Sequence, residues 1–113
     1  MTAIIGRVVV LPAILVAPEG PAEHARNALA LLRGLEQLSP AVWVLNPELQ
    51  RAARRIEAAL VFLEHHGPWE FAACHLRRAI AALLEAPVEP EVIPEYLAAC
   101  RRLLFALSQV ESM

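Results

Sequence analysis

Prolines flank every long apolar-periodic stretch of this chain and interrupt none of them. Inside a helix a proline removes a hydrogen bond and clashes with the preceding turn. At the first helical position its missing N–H does no harm and its fixed φ suits the helix. The uninterrupted stretches are therefore predicted helices. The first covers about residues 22–38, where Ala25, Ala28, Leu29, Leu32, Leu35 and Leu38 recur at three- and four-residue steps, and Ser39-Pro40 ends it. The second opens at Asn46-Pro47-Glu48, which supplies a capping side chain, a proline at the first position and an acid near the positive end of the dipole. It runs to about residue 66 with Leu49, Ala52, Ala53, Ile56, Leu60 and Leu63 as its apolar stripe, and Gly67 provides the left-handed residue that stops it.

Pro68 opens the third helix at once, and so short a join favours an antiparallel hairpin. This helix extends to about residue 85 with Ala72, Leu76, Ile80, Leu83 and Leu84 facing inward. The stretch APVEPEVIP is a stiff connector to the fourth helix, about residues 94–110, whose expected buried set is Leu97, Cys100, Leu103, Leu104 and Leu107. Two segments differ. IIGRVVVL, residues 4–11, is rich in β-branched side chains and reads as a short strand within an N-terminal arm spanning residues 1–20. AVWVL, residues 41–45, fits either a second short strand or a lead into the next helix. The predicted fold is mainly α: one helical domain, a four-helix antiparallel bundle with an N-terminal extended or short β segment packed against it.

For a chain of 113 residues, 58% hydrophobic and 19% charged is an apolar surplus over the usual ~45–50% and ~25%. So small a domain buries only about two-thirds of its unfolded surface, so some of this material should meet another chain. The ten basic residues are all Arg and the twelve acidic ones all Glu, a bias expected of a GC-rich bacterial or phage gene. A net charge of −2 fits neither a strongly basic nucleic-acid binder nor an acidic tail. The apolar run from Val8 to Ala17 has the length of a signal-peptide core, but Pro12 breaks it and a single Arg precedes it, and it is too short for a membrane span. Cys74 and Cys100 stand apart with no disulfide framework, as in free thiols of a cytoplasmic protein.

The residues Glu64, His65, His66, Glu70, Cys74 and His75 cluster around the hairpin turn. Adjacent histidines on a helix point about 100° apart, and no third residue completes a site at ligand spacing, so neither a metal, a cofactor nor an enzyme active site is expected. Paired arginines recur at Arg54-Arg55, Arg77-Arg78 and Arg101-Arg102. They support an alternative reading, Arg-mediated phosphate or nucleic-acid binding. The absence of interleaved aromatics or a basic run argues against nucleic acid, and pairing with Glu on neighbouring helices or at an interface is favoured. Among the few aromatics, Phe105 shares a face with Ala98, Arg101 and Ser108, and Phe62 lies beside Ala58, Arg55 and His65, with Val61 widening the apolar arc. Trp43 and Trp69 flank helix starts. Aromatics and Arg dominate interface hot spots, so Phe62, Phe105, Arg101, Val61 and Trp43 are the candidate contact residues. The expected function is a non-enzymatic protein-interaction module, an adaptor, inhibitor or accessory subunit that binds a protein partner through an apolar helical face and the N-terminal arm and self-associates; a metal-dependent enzyme ranks behind both this and the Arg-mediated alternative.

Overall fold

A computed structural model describes residues 20–113, all helix and short connections, with no strand among them. The expected strand at residues 4–11 and the packing of the N-terminal arm lie outside the described residues. The elements are α1 (Pro21–Leu38), α2 (Pro40–Val44), α3 (Pro47–Glu64), α4 (Trp69–Glu85), a single 3₁₀ turn (Pro90–Val92) and α5 (Ile93–Glu111). The ambiguous AVWVL segment is helical. Leu35 O accepts the amide of Ser39, Pro40 starts the new turn, and Trp43, 8% exposed, drops into the core and anchors it.

Four long helices pack in a ring, α1 on α3, α3 on α4, α4 on α5 and α5 on α1. Cross-helix pairs tie each helix to its neighbours. Arg26 meets Glu64 at 2.8 Å and Arg33 meets Glu57, so α1 and α3 run antiparallel. Phe62 stacks near His75 and Phe71 across α3 and α4, Arg77 reaches Glu111 at 2.8 Å across α4 and α5, and Phe105 lies over His24 across α5 and α1. Glu57 and Arg51 thus find partners on other helices, Arg33 and Glu85.

Alanine builds much of the core: eleven of the twenty-two buried apolar residues are Ala. Small side chains let helix axes approach closely, while Leu32, Leu35, Leu49, Ile56, Leu76, Leu83 and Leu103 fill the volume between them. This choice of inward arc corrects the expected one on two helices. On α5 the buried set is Ala99, Leu103, Ala106 and Val110, so Leu97 and Leu104 are about half exposed and Cys100 and Leu107 lie at the margin. On α4 the arc is Ala72, Ala73, Leu76, Ala79, Ala82 and Leu83, leaving Ile80 half-buried and Leu84 out in solvent. Leu38, at the end of α1, is also exposed.

The helix boundaries hold to within a few residues, but Asn46 works differently from a cap. Its side chain makes no capping bond; instead Nδ2 donates to the Pro87 carbonyl at 2.8 Å, tying the start of α3 to the connector between α4 and α5. At the other end of α3, His66 and Gly67 both take positive φ, 59° and 121°, and the Gly67 amide reaches back to Phe62 O at 2.8 Å. Asn46→Ala would leave a carbonyl without its donor in a part-buried site. Urea unfolding of this variant is expected to show a loss of about 1–3 kcal/mol, and a loss within experimental error would mean that the tie does not form in solution.

Candidate interaction surface

The pair Arg77–Glu111 marks the side on which α4 and α5 meet at the surface. Residues seven apart on a helix lie nearly in line. Counting back from Glu111 by sevens gives Leu104 and Leu97, and counting forward from Arg77 gives Leu84. All three therefore flank the same seam. Ile93 joins them four residues before Leu97, and Cys100 and Leu107 complete a four-three spacing along α5. Leu84 is 72% exposed, Leu104 53%, Leu97 51% and Ile93 40%. Ile80, half-buried, forms part of the floor between them. The seam is pinned from below by the Tyr96 hydroxyl, which donates to the Leu83 carbonyl at 2.7 Å.

Two titratable groups border it. Burial pushes the Cys100 thiol above its ordinary pKa, a hydrogen bond with Tyr96 opposes this, and the thiol stays protonated near neutral pH. Burial, and then Cys100 beside it, pushes Tyr96 up as well.

The five candidate contact residues are not brought together. Arg101 lies at the margin of the seam, four residues after Leu97 and three before Leu104. Phe105, half exposed, sits on the opposite flank of α5, its ring centroid 5.4 Å from that of His24. A concavity of about 400 Å³ between α1 and α5 is lined by Leu31, Gly34, Leu38 and Arg102 among others, without Phe105. Phe62 is partly buried between Phe71 and His75 at 5.5 and 5.8 Å. Val61 is exposed near the end of α3. Trp43 is a core residue with little surface to offer a partner. The exposed leucines of the seam escaped the sequence reading because their spacing is the same one that marks a core stripe.

The histidine cluster is dispersed. His65 Nδ1 lies 2.6 Å from Val61 O, His66 packs edge-on to Trp69, and Glu64 is engaged by Arg26. Among the described residues no three His, Cys or acidic side chains come together as a metal site, and no helix is long and apolar enough to cross a membrane. His75 is held below its ordinary pKa by burial first, then by the charges of Arg55 and Arg78. No protein family, curated protein or solved structure matches the chain.

Proposed function

We propose that this chain is a non-enzymatic protein-interaction module, an adaptor, inhibitor or accessory subunit built on an antiparallel four-helix bundle, and that it self-associates through the α4–α5 seam. The observation that carries the reading is the line of four large aliphatic side chains exposed there. A contiguous apolar strip rimmed by charge is the usual mark of an interface. Removing it from water gains roughly 25 cal/mol per Å² of apolar surface.

Charge supports a second copy as the occupant. The connector end of the seam carries Glu89 and Glu91, and no Arg occurs between Arg78 and Arg101. Arg101, which none of the ion pairs among the described residues includes, lies further along α5. A copy related by a two-fold axis across the seam sets the acidic end of each chain over the basic part of the other, and twofold pairing is the commonest closed assembly. The two free thiols fit work in a reducing compartment such as the cytoplasm.

Sedimentation across a dilution series tests the proposal. A concentration-dependent dimer is expected in the micromolar range, as for a standard-sized transient interface. A monomer at all concentrations, with no binding of an apolar dye, would overturn self-association and leave the seam without its argued occupant.

A further inference from the structure

The groove between α3 and α4, on the side of the ring away from the seam, has a different chemistry. It encloses about 230 Å³ and is lined by Arg51, Arg55 and Arg78 above Ala81 and Ala82, with Glu85 at one end. Three guanidiniums thus face one carboxylate, in a chain whose overall charge is −2. The single carboxylate is loosely held, 3.6 Å from Arg51 with its side chain 68% exposed.

The other two charges are uncancelled. Arg55 Nη1 lies 3.3 Å from His75 Nδ1. A guanidinium has only donors, so Nδ1 accepts and the ring proton sits on Nε2. The ring is stacked on Phe62, with an interplanar angle of 13°, and a neutral imidazole in this position aims Arg55 without neutralising it. Arg78 is exposed, and none of the ion pairs among the described residues includes Arg55 or Arg78. The rest of the lining is Ala81 and Ala82, whose side chains are single methyl groups and leave room for a bound group.

We infer that this groove is an anion site that takes a phosphate monoester, its oxygens shared among Arg51, Arg55 and Arg78. Guanidinium forks match phosphate oxygens in pairs, and a dianion matches the local excess of positive charge better than a carboxylate does. The volume is below the ~300–1,000 Å³ of drug-sized clefts, which suits a phosphoryl group with a small attached body. A polynucleotide would need a track of cations. Here Arg77 is paired with Glu111 on α5, Arg102 contacts His24 on α1, and Arg54 is not among the residues lining the groove.

The test is an NMR titration of the full chain with inorganic phosphate at constant ionic strength, following the His75 ring and the Ala81 and Ala82 amides. Saturable shifts confined to this groove are expected, together with a rise in the His75 pKa as the anion offsets the charges of Arg55 on α3 and Arg78 on α4. Arg78→Ala should weaken binding roughly tenfold, while Arg33→Ala, which removes the same charge from the α1–α3 groove, should leave it unchanged. Shifts that never saturate, equal losses in both variants, or acetate saturating as tightly as phosphate would each overturn the site. A single-stranded oligonucleotide that binds more tightly than phosphate, and loses affinity equally in both variants, would overturn it in favour of a diffuse polyanion surface.

Discussion

Leu103→Ala is expected to lower the unfolding free energy by about 2–5 kcal/mol, the range for truncating a fully buried leucine, whereas Leu104→Ala should cost less than about 1 kcal/mol. The residues are chemically identical and adjacent, so propensity and sequence context nearly cancel in the comparison. They differ in direction. At 3.6 residues per turn, adjacent residues point about 100° apart, which sends Leu103 between Ala99 and Ala106 with no exposed surface and leaves Leu104 53% exposed. Denaturant unfolding at low protein concentration isolates the monomer term, because binding to a second copy would add its own stability. An unchanged denaturant slope would confirm that both variants unfold from the same compact state. Equal losses at the two positions would mean that α5 is rotated from its described setting, and the seam would then lose its apolar character.

That pair also shows where the sequence was legible. Helix ends are local chemistry: Pro47, Gly67, Pro68 and Pro94 each restrict one or two backbone angles, and the structure places boundaries within a few residues of them. The short helix α2 was ambiguous because Val42, Trp43 and Val44 carry strand preferences. What settles it is distant in sequence: the packing of Trp43 in the core and the Gln50 side chain donating to the Trp43 carbonyl at 2.7 Å.

The faces of α4 and α5 were misread for a related reason. Both helices carry apolar residues over most of their circumference, so the period alone does not choose an arc. Large side chains attract the inward assignment, yet closely packed helices prefer alanine at the centre of contact and push leucines to its edges. The interaction surface inherits that ambiguity. Leu84, Leu97 and Leu104 have the spacing of core residues, and only the positions of the neighbouring helices reveal that nothing among the described residues covers them. The arginine pairs are divided by the same 100° step. Arg77 turns to Glu111 while Arg78 turns to the α3 groove, so two adjacent letters belong to two unrelated surfaces.

The double substitution Leu97→Glu with Leu104→Glu is expected to weaken self-association by more than about a hundredfold, some 2.7 kcal/mol or more. Each leucine is half exposed and seven residues from the other, so both changes fall on the seam and neither opens a cavity in the core. Glutamate is a good helix former, and the isolated chain should keep its helix content and melt within a few degrees of the parent. In a paired seam the new carboxylates would be stripped of water and, by the twofold relation, set against one another, which penalises only the associated state. Phe105→Ala supplies the contrast, because that ring lies on the flank of α5 next to His24 and α1. If association passes through the seam, Phe105→Ala leaves the dimer constant nearly unchanged while the double variant sediments as a monomer. The reverse pattern, an intact dimer after the double substitution and a loss of about 2 kcal/mol or more on truncating Phe105, would move the interface to the α1–α5 flank. There Phe105 and the concavity lined by the exposed Leu38 would have to supply the contact area instead.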